Sequence, residues 1–251
     1  MRLGVLLAPL DNHAPSTRLA DQARALEAMG FASLWSAQAM GRGFMMTDPL
    51  IALATAAAVT ETLTLGTAVL QLPLYTPMEL AHRVFSLQQV CGDRLILGLG
   101  AGSTAADFAI AEKDYAQRFT NFQAQAVTLK RILKTGSDGA RDHKPWQAVL
   151  GGPPIYLGSW GAGVRSAAQD FDGWIASAHY RSFQQIADAQ TTYQAQGGKR
   201  SIVSTLQLDQ NTDLGALKAK LHAFRDCGFA EAVVMFLPGG PKPEHVIKLL
   251  D

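Results

Sequence analysis

The sequence predicts an α/β fold: a (β/α)8 TIM barrel that forms a single compact domain over residues 1–251, with short insertions. Strand-like apolar runs alternate with helical patterns from one end of the chain to the other, and eight of each can be counted. The length of 251 residues is typical of such a barrel. Eight evenly spaced units without a linker-like change of composition favour the barrel over a doubly wound open sheet.

The first half of the chain supplies four strands. They are predicted from short apolar runs at residues 3–8, 32–36, 63–70 and 94–99. A first helix starts at Leu19 and stops at Gly30. The next two helices start at Asp48 and Thr76, which are N-cap residues followed by proline at the first helical position. Glu79 completes the sequence pattern of a capping box with Thr76.

The second half supplies the other four strands. They are predicted at residues 154–157, 174–177, 202–208 and 232–237. A long helix places Phe122 and Leu129 on one face, and residues 136–152 after it are predicted as loop. Ser182 and Gln185 form a second capping box. Two further helices end at glycine pairs or single glycines, and residues 243–250 form a terminal helix.

Charge and hydropathy exclude several classes of partner. The net charge is +1, and 48% of the residues are hydrophobic. Charges of both signs are scattered without a basic stripe or an acidic tail, so neither nucleic acid nor a membrane surface is an expected partner. No apolar stretch approaches the roughly 20 residues that a membrane span needs, and no leader pattern is seen. The two cysteines, Cys91 and Cys227, fit a reduced, cytoplasmic protein without a disulfide framework or zinc site.

In a barrel of this kind, the functional site is built by the loops that follow the strands. The best anion site among these loops is Ser159–Val164, where glycines let backbone N–H groups approach a phosphate and a helix begins. A plain tight turn is the alternative interpretation. Gly98–Gly102 resembles a dinucleotide fingerprint but lacks its third glycine and acidic partner, so that signal is weak.

Acid–base and metal signals are sparse. Of the six histidines, only His13 and His179 fall in loops at the carboxyl ends of strands, where a solvated loop histidine is an equally good interpretation. No spacing of histidine, cysteine or carboxylates indicates a metal site, and no nucleophile motif is found. Small residues at Ala68, Val69 and Gly100 instead predict an apolar slot, with Tyr75 and Phe108 nearby. Such a slot suits a planar, phosphate-bearing cofactor that carries the reactivity itself.

Five segments in this order make the sequence resemble the bacterial-luciferase-like flavin oxidoreductases. They read GFASLW from Gly30, LTLGTAVLQLPLYTP from Leu63, GDRLILGLGAGS from Gly92, QRFTNF from Gln117 and GSWGAGVRSAAQDFDGW from Gly158. The resemblance is clear from Leu3 to Ser177 and weaker beyond. It implies a (β/α)8 barrel, a dimeric and cytoplasmic protein, and reduced FMN or a deazaflavin coenzyme as cofactor. The implied chemistry is monooxygenation or hydride transfer on a small organic substrate.

The resemblance also assigns cofactor-binding residues. Ala68 and Val69 match a bulge behind the isoalloxazine ring, which in the family often contains a non-proline cis peptide. Gly100 and Ala101 match positions beside the flavin ring and its phosphate. The phosphate loop is matched by Ser159, Gly161, Ala162, Gly163 and Val164, in agreement with the anion site found from the residues themselves.

Two departures from the family pattern bear on catalysis. Many members carry an acidic residue and a histidine after the second strand, where this chain has Gln38 and Ala39, and many have longer insertions. An FMN-dependent monooxygenase, a deazaflavin-dependent hydride-transfer enzyme and a flavin-binding protein with little catalysis therefore stay open. Arg42, Tyr75, His179 and Arg181 are the candidates for orienting the substrate. A separate flavin reductase is a further expected partner, beside a second copy of the chain.

Overall fold

The strands close into a parallel barrel. The computed structural model describes residues 1–9 and 18–250. In this part of the chain the strands are β1 (Arg2–Leu6), β2 (Ser33–Ser36), β3 (Thr64–Thr67), β4 (Leu70–Gln71), β5 (Leu95–Gly100), β6 (Ile155–Gly158), β7 (Gly173–Ser177), β8 (Ser201–Leu208) and β9 (Glu231–Phe236). β1 pairs with β2 and β9, and β3 and β4 both pair with β5, so the ring is complete. β3 and β4 act as one interrupted strand, and the barrel therefore has eight.

Helices cover the outside of this ring. They are α1 (Leu19–Ala28), α2 (Pro49–Ala57), α3 (Pro77–Cys91), α4 (Ala105–Ile110), α5 (Arg118–Thr135), α6 (Gly163–Asp170), α7 (Phe183–Ala195), α8 (Leu214–Asp226) and α9 (Pro243–Val246). The predicted alternation of strands and helices and the single compact domain are confirmed. The third strand, predicted over residues 63–70, is interrupted at Ala68 and Val69, where the resemblance implies a bulge. No helix of the described part is long and apolar enough to cross a bilayer.

Helix starts follow the capping signals in the sequence. The carboxylate of Asp48 accepts hydrogen bonds from the N–H groups of Leu50 and Ile51 at the start of α2. The capping box of Ser182 and Gln185 is present in both halves at the start of α7. At α3 only one half forms, since Thr76 accepts from the Glu79 N–H while the Glu79 carboxylate pairs with Arg83 at 2.5 Å. The predicted reciprocal box at α3 is therefore wrong, and a helix-surface ion pair replaces its second half.

The core has two layers. The larger cluster fills the space between the strands and the surrounding helices, and includes the fully buried Leu53, Leu65 and Phe224. A smaller cluster lies inside the ring; its buried members are Leu6, Trp35, Tyr156, Ile175, Ile202, Val233 and Met235. Trp35 packs so closely over Gly66 that a Cβ there would come within 2.3 Å of its ring. The barrel interior is thus a packed core rather than a pore, and any ligand must bind above it.

The amino-terminal end of the barrel is closed by a polar cluster. The Glu231 carboxylate, 1% exposed, accepts a hydrogen bond from the Ser33 hydroxyl and one of 2.8 Å from the Trp35 indole N–H. Arg2 forms an ion pair of 2.9 Å with the same carboxylate from the surface. Because every member is satisfied, this cluster can seal the lower end of the barrel without an unpaired buried charge.

Candidate active site

A cavity of about 570 Å³ opens at the carboxyl-terminal end of the strands, above the packed interior. Part of its lining was proposed from the sequence. The proposed residues that the structure brings together here are Arg42, Ala68, Val69, Gly100, Ala101, Ser159, His179 and Arg181. Tyr75 and residues 161–164 are not among the residues that line it, and His13 lies outside the described residues. The parts that the eight play in binding or catalysis stay predictions.

The back wall of the cavity is formed where β3 is interrupted. The peptide bond between Ala68 and Val69 is cis, and both residues line the cavity. The Val69 side chain fills the space beside Gly100 and Gly158. A Cβ at Gly100 would lie 2.7 Å from one Val69 methyl group, and a Cβ at Gly158 would lie 2.6 Å from the other. The two glycines therefore let three neighbouring strand ends come together as a flat, apolar surface.

Gln38 also lines the cavity, at the position where the family pattern often has an acidic residue. Its side-chain N–H donates to the Tyr75 hydroxyl at 2.7 Å, and its carbonyl oxygen accepts from the Gln71 N–H at 2.9 Å. Gln38 thus ties β2 to β4 and the segment after it. Burial raises the pKa of Tyr75 to about 12, so the phenol stays protonated at neutral pH. Tyr75 therefore supports the wall through its bond to Gln38 and does not line the cavity.

A buried ion pair joins two of the loops around the cavity. Asp107 at α4 is fully buried, and its carboxylate contacts the Arg42 guanidinium with a shortest distance of 2.6 Å. It also accepts hydrogen bonds from the N–H groups of Met40 and Gly41 and from the Gln71 amide. Burial alone would raise the pKa of Asp107, but these hydrogen bonds outweigh it and lower the pKa to about 2. Asp107 therefore stays ionised and holds Arg42 at the cavity.

Sequence reasoning missed this pair. The sequence places Asp107 only in an irregular segment after a predicted strand, whereas the structure places it in α4, and nothing in the sequence links it to Arg42. Their contact depends on two loops from different strands meeting above the barrel. A lone aspartate in an irregular segment is more often solvated than buried, so its sequence context does not single it out.

The predicted phosphate loop lies at one side of the cavity, and only its first residues reach the lining. Ser159 and Trp160 line the cavity, whereas the Val164 side chain is buried in the core. The N–H groups of Gly163 and Val164 donate within the loop, to Trp160 and Gly161. Among the described residues, the N–H groups of Gly161 and Ala162 have no acceptor. The N–H groups of Ser159 and Trp160, which line the cavity, likewise have none among the described residues, so an anion bound by the backbone would use donors from residues 159–162.

The cavity lining carries basic side chains. Within the described part of the chain it contains two arginines and one histidine but no aspartate or glutamate. The Arg181 guanidinium lies 4.0 Å from the centre of the Trp160 ring, next to the predicted phosphate loop. The His179 ring contacts the Tyr180 ring edge to face at 4.0 Å. Because Asp107 neutralises Arg42, it is the Arg181 side of the mouth that favours an anionic group, and Arg181 is anchored by a cation–π contact.

The wall opposite Ala68 and Val69 is polar, and the sequence did not indicate it. It is made by residues at the ends of β7 and β8, namely Ser177, Ser204, Thr205 and Gln207. Serine and threonine are common in strands and carry no signal of their own. In the described residues, no group of three or more histidine, cysteine or carboxylate side chains is arranged to hold a metal ion. The site thus combines a flat apolar wall, a cationic rim and a hydroxyl-bearing wall.

Comparison with known proteins identifies relatives that match part of the sequence. The chain is 34% identical over 122 residues to 4-hydroxyprotoasukamycin monooxygenase of Streptomyces nodosus subsp. asukaensis, a match that covers 48% of this chain and 33% of the relative. It is 33% identical over 124 residues to a Mycobacterium tuberculosis protein named "putative coenzyme F420-dependent oxidoreductase", covering 47% and 31%. These matches span about a third of the length of either curated relative.

The fold comparison covers the whole chain. The crystal structure of monooxygenase RslO1 from Streptomyces bottropensis superposes with a TM-score of 0.78, at 15% identity, over 100% of this chain and 97% of that one. At this level of identity the likeness is one of fold. The sequence model of the luciferase-like monooxygenases matches residues 1–206, which is most of the chain. The protein is therefore a member of the luciferase-like monooxygenase family, as the five sequence segments indicated.

Proposed function

We propose that the protein is an FMN-dependent oxidoreductase, a monooxygenase that acts on a small organic substrate. The observation that carries this proposal is the juxtaposition of a flat apolar wall with a rim that holds arginines and, among the described residues, no carboxylate. A flavin mononucleotide is a planar ring joined to a phosphate, and it needs both features at once. Family membership supports the same conclusion.

The residues present fit such a cofactor. Ala68, Val69, Gly100 and Ala101 offer a surface without polar side chains against which a tricyclic ring can pack. Backbone N–H groups of residues 159–162 that are free in the described part of the chain, together with Arg181, would hold the phosphate. When bound in its reduced form, a flavin supplies the electrons for reaction with oxygen or for hydride transfer.

The protein's own side chains would bind and orient the substrate in front of this ring. Phe44, Met46 and Phe119 line the mouth of the cavity and would exclude water from it. Arg42, fixed by Asp107, presents a guanidinium group in a defined orientation. His179 is the only histidine among the described lining residues, which makes it the candidate for holding or moving a proton.

Hydride transfer with a deazaflavin coenzyme is the second candidate function. The Mycobacterium tuberculosis relative supports it, because its name includes coenzyme F420 and it is 33% identical over the matched segment. The same wall and the same phosphate donors would serve both cofactors. A deazaflavin has carbon in place of one nitrogen of the central ring, and the coenzyme continues beyond the phosphate with a part that would extend out of the cavity.

Cofactor titration tests these alternatives. The purified protein is titrated with FMN and with coenzyme F420, and binding is followed by calorimetry and by the visible absorption of each cofactor. Tighter binding of FMN supports the first candidate, and tighter binding of coenzyme F420 supports the second. If neither binds, the proposed function is wrong. If FMN binds but the reduced protein consumes oxygen no faster than free reduced FMN with any substrate tested, the chain is a flavin-binding protein with little catalysis.

We further propose a homodimer that receives reduced flavin from a separate reductase. Both features are expected from the family and lie outside the single chain described above. Light scattering coupled to size exclusion tests the first: a mass near 54 kDa is expected, since one chain has a mass of 26.9 kDa. Addition of a flavin reductase with a nicotinamide tests the second through oxygen consumption that depends on both proteins.

A further inference from the structure

β8 contains an irregularity whose role does not follow from the cofactor site described above. Its register with β9 shifts between Val203 and Leu206, so that β8 has one more residue than its neighbour over this stretch. Thr205, within the bulge, has a φ of +62°. A β-branched residue rarely adopts this left-handed conformation, because its Cβ crowds the backbone. Bulges of this kind are frequent next to active sites, where they redirect a side chain.

The bulge changes which side chains reach the cavity. In a regular strand, successive side chains point to opposite faces, so only one of Ser204 and Thr205 would face inward. Here both line the central cavity, and their hydroxyl oxygens lie 3.4 Å apart. Gln207 lines the cavity as well, whereas Leu206 is buried in the outer core. The end of β8 therefore presents three hydrogen-bonding side chains out of four consecutive residues.

A second cavity adjoins this segment on its outer side. It has a volume of about 300 Å³ and lies between the end of β8 and α8, with Asp213, Leu217 and Lys220 in its lining. His179, Thr205 and Gln207 line both this side cavity and the central cavity. These three residues thus stand at the junction of the two spaces. Each can donate and accept a hydrogen bond, and none of them belongs to the flat wall assigned to the flavin.

We propose that the β8 bulge is the substrate-recognition element of the site. His179, Thr205 and Gln207 hold the hydroxyl or carbonyl end of an oxygenated organic substrate at the junction, and its apolar part lies against the face of the flavin ring turned away from the wall of Ala68 and Val69. This assignment rests on the proposed function, since it takes the apolar wall as the cofactor's side and the β8 end as the substrate's side. The crowded conformation of Thr205 places its hydroxyl at the junction, and this placement is the reason for the conformation.

A pair of probes that differ in one group tests the assignment. 4-Ethylphenol and 4-ethyltoluene have nearly the same shape, but only the phenol can hydrogen-bond. Dissociation constants are measured by saturation-transfer NMR on the full chain, with and without FMN. The wild-type protein is expected to bind the phenol roughly threefold to tenfold more tightly, the effect of one or two net hydrogen bonds. No preference for the phenol, including no binding of either probe, would overturn the proposal.

Substitutions at the junction test which side chains cause the preference for the phenol. Thr205→Val keeps the branched shape and removes the hydroxyl, and Gln207→Leu removes the amide; each is expected to reduce the preference by at least about half. Thr205→Ser keeps the hydroxyl and serves as the matched control, with the preference retained. An unchanged preference in both Thr205→Val and Gln207→Leu would show that the phenol is held elsewhere and contradict the proposal.

Glycine at position 205 provides an independent readout. Thr205→Gly removes the crowded Cβ, so the melting temperature is expected to rise while the preference for the phenol falls. A lower melting temperature would mean that the threonine serves folding, against the proposal. The outcomes also distinguish a failure of the role proposed for the bulge from a failure of the proposed function. A protein that binds FMN without preferring the phenol contradicts only the role of the bulge, and one that prefers the phenol without binding FMN contradicts only the proposed function.

Discussion

The carboxylate of Asp107 accepts a hydrogen bond of 2.6 Å from the Arg42 guanidinium, across 65 positions of the sequence. The contact joins the loop after β2 to the helix after β5, and the same carboxylate takes two backbone N–H groups of the loop. Asp107 is fully buried while Arg42 is partly exposed and lines the cavity. One side chain therefore sets the position of a whole segment of the cavity rim.

Asp107→Asn tests how much this contact stabilises the protein. Asparagine keeps the shape but loses the charge, and leaves the Arg42 guanidinium without its counter-charge. We expect the free energy of unfolding in urea to fall by about 2 kcal/mol, the lower range for a buried pair because Arg42 is partly exposed. Asp21→Asn is the control, since the Asp21–Arg24 pair is exposed on α1 and is expected to change stability by less than about 0.5 kcal/mol. Equal effects of the two variants would contradict the role of Asp107.

The stabilising effect of Asp107 depends on pH in a defined direction. Its pKa is lowered from 3.8 to about 2 by folding, so the ionised form is favoured in the native state. The contribution is therefore fully present above about pH 4 and is lost as the pH falls toward 2. We expect the difference in melting temperature between the wild-type protein and Asp107→Asn to shrink over this interval. A difference that stays constant from pH 6 to pH 2.5 would contradict the assignment.

Gly100→Ala tests the flat wall. The new Cβ would lie 2.7 Å from a Val69 methyl group, so Val69 must move toward the space assigned to the ring. We expect FMN to bind roughly tenfold more weakly, as measured by quenching of flavin fluorescence. The double variant Gly100→Ala, Val69→Ala removes the clash and is expected to recover part of the affinity. Loss of affinity without recovery would mean that the contact with Val69 is not the cause.

Arg181→Gln tests the cationic rim next to the phosphate loop. Glutamine can keep part of the contact with Trp160 but carries no charge. We expect the dissociation constant of FMN to increase about fivefold to thirtyfold, the range for one charge-assisted hydrogen bond, and that of riboflavin to stay within about twofold. Arg24→Gln on the far surface serves as the control. Equal loss of affinity for FMN and riboflavin would place Arg181 away from the phosphate.

Glu231→Ala tests the polar cluster at the opposite end of the barrel. The Ser33 hydroxyl and the Trp35 indole N–H would lose their buried acceptor. We expect the free energy of unfolding to fall by about 2–4 kcal/mol, with a smaller loss for Glu231→Gln, which keeps an acceptor oxygen. FMN affinity is expected to stay unchanged at a temperature where both proteins are folded. A change in affinity with unaltered stability would contradict a purely structural role.

Much of the cavity lining could be predicted from the sequence because it depends on local chemistry. Ala68, Val69, Gly100 and Ala101 end strands that the pattern of apolar residues already located, and strand ends meet at one face of any parallel barrel. The contribution of Ser159 followed from a glycine-rich turn before a helix. The limits of that approach appear at Tyr75, which follows a strand but is buried behind the wall by its bond to Gln38.

The sequence by itself determined the order of strands and helices, most helix starts and the family, because capping, periodicity and turn residues act over a few neighbouring positions. Only the tertiary structure decided which distant groups meet. The pairing of Asp107 with Arg42, the closure around Glu231 and the two hydroxyls on the β8 bulge all depend on how strands are registered around the ring. A change of one residue in that register moves a side chain to the other face of the sheet. The local sequence does not determine the register.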